Sequence, residues 1–170
     1  IKSSAASDVY KRQDMNYVIA NIPDYALAYY NRGIIYENLG HPTQAIQDYS
    51  HAINLQPDLL EAYHYRGIVR YGMKDLDGAL ADYNKAISLG LKSSAVYFNR
   101  GVIFHQKGQL SDAIESYSRS IEIDPSNARA YYNRAISKLI VDNYKEALQD
   151  LEISKRLGYS KAAEVISQYY

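Results

Sequence analysis

The feature that most constrains this chain is a repeat of 34 residues, present four times in register from residue 26 onward. The four segments align without gaps, and the same residue types recur in fixed columns. Three of these columns are Tyr29, Tyr63, Tyr97 and Tyr131; Gly33, Gly67, Gly101 and Ala135; and Ala45, Ala79, Ala113 and Ala147. Self-similarity at such a period is the signature of an array of small structural units, each packed on its neighbours.

Each segment has the pattern of two amphipathic helices joined by a turn. Aromatic and small residues stand three to four positions apart on either side of the turn, which is the helical period. Glycine and proline mark the turns and the segment ends: Gly40, Gly108, Pro57, Pro125, Gly90 and Gly158. Gly90 and Gly158 suit a left-handed residue that stops a helix. We therefore predict an all-α chain in which every segment is a helical hairpin.

The glycine column lies inside the predicted first helices. A glycine in the middle of a helix costs about 1 kcal/mol relative to alanine, so three at one position of the register need a structural reason. We predict that Gly33, Gly67 and Gly101 face the alanine column and let two helices approach closely. Ala135, in the fourth segment, predicts that this contact tolerates one methyl group.

Small residues at two fixed places, aromatic residues around them and a closing proline, all at a period of 34 residues, resemble the tetratricopeptide repeat (TPR) family. The resemblance implies a right-handed α-solenoid of antiparallel helix hairpins whose first helices line a concave groove. It places four repeats at residues 26–59, 60–93, 94–127 and 128–159, followed by a capping helix over residues 160–170. An arginine column departs from the family pattern, which has leucine there: Arg32, Arg66, Arg100 and Arg134.

The beginning of the chain differs from the rest. Residues 3–13 resemble a translated sequencing-library adapter, so we expect residues 1–13 to be a non-native or disordered segment. Residues 14–25 align with the end of the first repeat and are predicted to be the remnant of a preceding one. We therefore expect the chain to be a C-terminal fragment. Its compartment stays open, with the cytoplasm favoured over the periplasm or secretion.

No residue pattern in the sequence predicts catalysis, a cofactor or a metal site. The four histidines occupy unrelated repeat positions and form no pair spaced for a metal: His41, His51, His64 and His105. The sequence has no cysteine, no glycine-rich phosphate loop after a strand and no strained nucleophile turn. We therefore expect no enzyme. One alternative is that these repeats are an accessory domain of a larger enzyme or sensor whose N-terminal part is missing.

Charge and hydropathy bear on the partner. Nineteen Lys and Arg residues balance nineteen Asp and Glu residues, so no net field attracts nucleic acid. Helical-hairpin arrays that read RNA one base per repeat are a rival class, and the balanced charge argues against it. The sequence has no uncharged apolar run long enough for a membrane span. We expect another protein or a peptide as the partner, and the sequence predicts no oligomeric state.

The arginine column has an acidic counterpart on the second helices. Asp48, Asp82 and Asp150 recur at one position, with Ser116 in the third segment. An aspartate beside an arginine favours an inter-helix pair with bidentate geometry. Because desolvation offsets much of the attraction, we interpret these pairs as fixing the stacking register rather than binding a ligand.

Polar and aromatic columns on the first helices carry the functional signal. A side-chain amide has both a donor and an acceptor, so it can pair with the backbone of a peptide of any sequence. The arrangement resembles the asparagine ladder of some TPR grooves and lacks the basic residues of the carboxylate clamp used by others. We predict a non-catalytic scaffold that binds an extended peptide or a helix in the groove through Tyr30, Asn31, His64, Tyr65, Phe98, Asn99, Tyr132 and Asn133.

Overall fold

Ten α-helices make up the part of the chain that the computed structural model describes, which is residues 5–169 with the side chains of residues 7–169. They are α1 (Ala5–Asn21), α2 (Ala26–Asn38), α3 (Pro42–Leu55), α4 (Leu60–Gly72), α5 (Leu76–Ser88), α6 (Ser94–Gln106), α7 (Leu110–Ile123), α8 (Ala128–Ile140), α9 (Tyr144–Arg156) and α10 (Lys161–Tyr169). Residues 5–169 contain no β-strand, which confirms the predicted all-α class. No described helix combines the length and the apolar composition that crossing a bilayer requires.

The helices repeat with the same period as the sequence. The first helices, α2, α4, α6 and α8, begin at residues 26, 60, 94 and 128. Their partners, α3, α5, α7 and α9, begin at residues 42, 76, 110 and 144. The two helices of each pair pack against each other, as the hairpin prediction requires.

Each hairpin turn contains a residue with a left-handed backbone. These residues are Gly40 (φ 75°), Lys74 (φ 68°), Gly108 (φ 72°) and Asp142 (φ 59°). Glycine adopts this conformation without steric cost, whereas a Cβ atom makes it unfavourable. Two turns are therefore relaxed, and those at Lys74 and Asp142 are strained. Gly90 and Gly158 are also left-handed, so the helix stops predicted at these two residues are confirmed.

The helices belong to two compact units, the first ending at Leu91 and the second beginning at Lys92. In the first unit, one cluster of buried side chains surrounds Ala52 and another surrounds Tyr49. In the second unit, one cluster surrounds Tyr117 and another surrounds Leu151. Helix α10 joins the last of these through Ala162, which is fully buried. Each hairpin thus contributes both of its helices to an apolar core.

The glycine column packs on tyrosine rings. A Cβ atom added at Gly67 would lie 2.7 Å from Tyr83 Cε1, and additions at Gly33 and Gly101 would approach Tyr49 and Tyr117 to 2.6 and 2.7 Å. The prediction of a close helix approach is therefore correct, but its partner is different. The tyrosine, one helical turn beyond the alanine column, fills the space that a side chain would need.

The fourth hairpin has different residues at the glycine and tyrosine positions. It has Ala135 in place of glycine and Leu151 in place of tyrosine, and both lie in one buried cluster. A leucine side chain is smaller than a tyrosine ring, so the methyl group of Ala135 has room. Ala135 therefore gives no indication that alanine would be tolerated opposite Tyr49, Tyr83 or Tyr117.

Helix α1 extends further towards the N-terminus than the sequence predicts. Residues 5–13 are helical and continuous with residues 14–21, whereas residues 1–4 of the expected disordered segment lie outside the described residues. Asp8 is 4% exposed, and the Arg12 guanidinium lies 6.0 Å from the centroid of the Tyr36 ring on α2. Contact with α2 accounts for the order of residues that composition alone does not predict to be folded.

Candidate functional site

The arginine column forms a ladder of structural hydrogen bonds. Arg66 Nε and Nη2 donate to Asp82 Oδ2 and Oδ1 at 2.9 and 2.7 Å, and Nη1 donates to Ser50 Oγ at 2.9 Å. Asp82 belongs to α5 and Ser50 to α3. One guanidinium therefore connects the second helices of two successive hairpins. Arg32 and Arg134 make the same set of bonds.

These bonds confirm the predicted pairs and assign the arginines to the scaffold. The third hairpin has a serine at the acidic position, and Arg100 Nε donates to Ser116 Oγ at 3.1 Å. The bonds from Arg66 and Arg134 back to Ser50 and Ser118 of the preceding hairpins are a feature that the sequence prediction lacks. Two further basic residues have structural partners: Arg70 pairs with Asp82 at 2.9 Å, and Lys138 pairs with Asp150 at 2.9 Å.

The predicted groove residues lie on the first helices, two of which belong to each unit. The α2–α4 face consists of Tyr30, Asn31, His64 and Tyr65, with Glu37 and Glu61 beside them. The α6–α8 face consists of Asn99, Tyr132 and Asn133, with His105 beside them. All of these residues are partly or fully exposed. The remaining predicted residue, Phe98, is buried.

Phe98 belongs to the core of the second unit and not to its surface. It is 8% exposed, and its ring centroid lies 5.9 Å from that of Tyr117. The Arg129 guanidinium covers the ring at 5.1 Å from its centroid. Phe98 therefore has little area to offer a ligand. The sequence prediction assigned it to the groove because it shares a column with Tyr30 and Tyr132.

Aromatic rings pack together on the α2–α4 face. The centroids of Tyr30 and Tyr65 lie 5.9 Å apart with the rings at 67°, an edge-to-face contact. Beneath them the fully buried Tyr49 ring lies 6.1 Å from Tyr30 and 6.3 Å from Tyr65, and His64 lies 5.1 Å from Tyr65. The structure thus brings together three of the four predicted residues of this unit. The fourth, Asn31, lines a separate pocket with residues of α1.

The electrostatics of the α2–α4 face are acidic. Burial, together with the neighbouring Tyr65, Glu61 and Glu37, raises the pKa of Tyr30 to about 12. Burial also raises the pKa of Glu37, while the Tyr49 hydroxyl, which donates to Glu37 Oε2 at 3.0 Å, opposes that shift. The pKa of His64 is lowered by burial, against the pull of Glu61, so this imidazole is neutral at pH 7.

The α6–α8 face contains an apolar pocket of about 260 Å³. It is lined by Val102, His105, Gln106, Tyr117, Tyr132, Asn133 and Ile136. Two of the predicted residues, Tyr132 and Asn133, contribute to it, whereas Asn99 is not among the lining residues. The Tyr132 ring is supported by Tyr159 at 4.9 Å, and burial raises the Tyr132 pKa. This pocket has room for one side chain of a ligand.

His105 supplies a polar group to this pocket that the predicted site omitted. Ser137 Oγ donates to the Asn133 carbonyl oxygen at 3.0 Å, which uses its only proton. The 2.9 Å contact between His105 Nδ1 and Ser137 Oγ is therefore donated by the imidazole when it is neutral. The other ring nitrogen, Nε2, is left as a hydrogen-bond acceptor. His105 stands about two turns beyond the predicted residues of α6, a spacing that the sequence does show.

No group of three His, Asp or Glu side chains in the described part of the chain is arranged to hold a metal ion. The chemistry of both faces is instead that of recognition, with aromatic surface, amide groups and an imidazole acceptor. The Ser137 hydroxyl beside His105 is fully buried and donates its proton to the Asn133 carbonyl oxygen, so this pair does not have the hydrogen-bond direction of a nucleophile and its base.

Comparisons with known proteins agree with this architecture. A family model described as "TPR repeat" matches residues 101–138, and one described as "Tetratricopeptide repeat" matches residues 26–59. A crystal structure of MamA has a TM-score of 0.81 at 22% identity over 89% of each chain. MamA from Desulfovibrio magneticus RS-1, from its residue 41 to the end, gives 0.81 at 19% identity over 91% of this chain and 87% of that one.

A more distant structural match is YrrB. Its TM-score is 0.53 at 17% identity, over 90% of this chain and 97% of that one. No curated protein sequence gives a significant match. At these identities the structural matches show a shared fold. Repeats of this fold are typically non-catalytic interaction modules. The helical hairpins at a 34-residue period and the two family matches lead to one conclusion: the chain contains tetratricopeptide repeats.

Proposed function

We propose that the chain is a non-catalytic scaffold that binds extended peptide segments on the first-helix faces of its units. The observation that carries this proposal is the pocket of the α6–α8 face. Its apolar walls include Val102, Ile136 and Tyr117, and its polar groups include Asn133, His105 and Gln106. An apolar side chain of the peptide enters the pocket while its backbone pairs with the amide and the imidazole.

The free energies of the individual contacts set the expected affinity. Burial of one apolar side chain contributes about 1.5–3 kcal/mol, and each hydrogen bond contributes about 0.5–1.5 kcal/mol. One side chain and two bonds therefore supply less than the ~8 kcal/mol that micromolar binding requires. A peptide that engages this pocket alone therefore binds weakly, with a dissociation constant above the micromolar range. The similar structure YrrB is that of a TPR protein with an unusual peptide-binding site, which supports peptide binding as a use of this fold.

The test is selection from a phage-displayed library of random peptides, followed by affinity measurement of the selected peptides. The selected peptides are also measured against a double variant, Asn99→Ala with Asn133→Ala, which removes both asparagine amides of the α6–α8 face. Asn54→Ala, on the exposed side of α3, is the matched control. We expect the double variant to lose at least about tenfold in affinity at unchanged helical content and the control to lose nothing. Selected peptides that bind wild type and the double variant equally would refute the proposed role of the amides.

A second variant tests the pocket itself. Val102→Phe places a larger apolar side chain in the wall of the pocket and leaves the amides and His105 in place. We expect it to exclude the peptide side chain and to weaken binding while circular dichroism shows intact helices. Undiminished binding to Val102→Phe would place the peptide elsewhere on the protein.

A further inference from the structure

Glu37 is a half-buried carboxylate without a cationic partner. Its Oε2 accepts a hydrogen bond from the Tyr49 hydroxyl at 3.0 Å, and no Lys or Arg pairs with it among the side chains that the structure describes. The basic residues of the neighbouring helices are engaged elsewhere: Arg32 with Asp48 and Arg66 with Asp82. The Tyr49 hydroxyl and the remaining water contact compensate Glu37 only in part, because burial still raises its pKa, so this carboxylate is a charge that a cationic ligand can neutralise.

The surroundings of Glu37 suit a cation. The Tyr49 ring, which carries the hydroxyl bound to Glu37, lies 6.1 Å from Tyr30 and 6.3 Å from Tyr65. Tyr30 and Tyr65 are partly exposed, so their rings are accessible from the α2–α4 face. Aromatic faces attract ammonium and guanidinium groups, most strongly where water is partly excluded. Glu61 adds a second negative charge, which acts on both Tyr30 and His64.

We propose that the α2–α4 face is a subsite for a lysine or arginine side chain of the bound peptide, whose cationic group lies against Tyr30 and Tyr65 and pairs with Glu37. This inference rests on the proposed function and specifies the chemistry of its ligand. The face favours a positively charged side chain, because it presents two carboxylates and a neutral imidazole. A neutral side chain leaves Glu37 without a counter-ion, and an acidic side chain is repelled by both carboxylates.

The second unit has no equivalent of this subsite. The repeat positions of Glu37 and Glu61 correspond to His105 and Arg129 there. An arginine and an imidazole do not attract a cation, so the α6–α8 face selects an uncharged side chain. The two faces therefore select different peptide side chains, a basic one on the α2–α4 face and an uncharged one on the α6–α8 face.

The experiment titrates 15N-labelled protein with the Nα-acetyl amides of arginine, lysine and norleucine and follows backbone chemical shifts. Norleucine has the length of lysine without its charge. We expect arginine and lysine to shift the amide signals of Tyr30, Glu37 and Tyr65 with millimolar dissociation constants. We expect norleucine to bind at least about fivefold more weakly. Equal shifts for norleucine and arginine would overturn the inference.

Charge-removing variants complete the test. Glu37→Gln keeps an acceptor for the Tyr49 hydroxyl and removes the charge, and it should reduce arginine affinity towards that of norleucine. Glu115→Gln removes the same charge from the exposed surface of α7 and should leave arginine binding unchanged. Arginine binding that survives Glu37→Gln would also overturn the inference.

Failure of the proposed function is distinguishable from failure of this subsite. If the peptide library yields no binder while arginine still binds near Glu37, the peptide-scaffold proposal fails and the cation subsite stands. If peptides are selected without enrichment of Lys or Arg and bind Glu37→Gln as well as wild type, the subsite fails and the scaffold proposal stands.

Discussion

Replacing Gly67 by alanine tests whether the tyrosine ring is what demands glycine in this column. The added Cβ would lie 2.7 and 2.9 Å from two ring carbons of Tyr83 and 3.3 Å from Asp82 Cβ. The Tyr83 ring is fully buried and cannot move aside into solvent, and overpacking of this kind costs about 1–3 kcal/mol. Alanine is better than glycine in a helix by about 1 kcal/mol. We expect Gly67→Ala to lower the free energy of unfolding by up to about 2 kcal/mol.

The Tyr83→Leu background should reverse the sign of this effect. It recreates in the second hairpin the pairing of Ala135 with Leu151 found in the fourth. Without the ring, the added methyl group meets no obstruction, and Gly67→Ala should stabilise the protein by up to about 1 kcal/mol. The difference between the two backgrounds is a coupling energy of about 1–3 kcal/mol.

Urea unfolding of the four proteins, followed by helical circular dichroism, measures this cycle. Gly72→Ala is the matched control, because it lies in the same helix and an added Cβ there has no neighbour within 4 Å. The control should be neutral or stabilising. If the effects of Gly67→Ala and Tyr83→Leu add within about 0.5 kcal/mol, the ring is not the reason for the glycine and the explanation is wrong.

Two further predictions concern strain and charge. Lys74→Gly should raise the free energy of unfolding by up to about 1 kcal/mol, because glycine relieves the left-handed backbone at φ 68°. Lys74→Ala keeps the Cβ and should give no such gain in the same urea titration; an equal gain would contradict the strain. Because burial raises the pKa of Glu37, the folded state holds its proton to higher pH than the unfolded chain, and stability falls as pH rises through that interval. Glu37→Gln should therefore be more stable than wild type at pH 7 and equal to it once the carboxyl is protonated in both states, which thermal unfolding at pH 7 and pH 4 measures. An advantage of equal size at both pH values would show that the charge of Glu37 is not its cause.

The hairpin architecture was predictable because the same pattern of helix and turn residues occurs in four repeats. A single glycine between two apolar stretches is ambiguous, but glycines at 40 and 108 in one register identify a turn, and the backbone there is left-handed. The same register pointed to the arginine pairs with Asp48, Asp82 and Asp150, which the structure contains. Because the same residue types recur at the same repeat positions, an unusual residue in one repeat does not mislead the prediction.

The sequence could not show which of two residues on the same helix face makes a given contact, or which residue of a repeat column is buried. Ala79 and Tyr83 are four residues apart and share one helix face, so periodicity does not tell which of them meets Gly67. Phe98 shares its column with partly exposed tyrosines, and only the packing against Tyr117 shows that it is buried. The groove assignment of the remaining residues stays a prediction that ligand binding has to test.

The arginine ladder has a consequence for how such arrays change length. In the second and fourth hairpins the arginine reaches back to a serine of the preceding hairpin and pairs with a carboxylate on its own second helix, as Arg66 does with Ser50 and Asp82. This bonding pattern refers only to adjacent units and has a direction. Duplication of such a unit therefore supplies the new junction with the same kinds of donor and acceptor. A gene that encodes such a ladder can therefore gain or lose a unit of 34 codons while the contacts between adjacent repeats are kept.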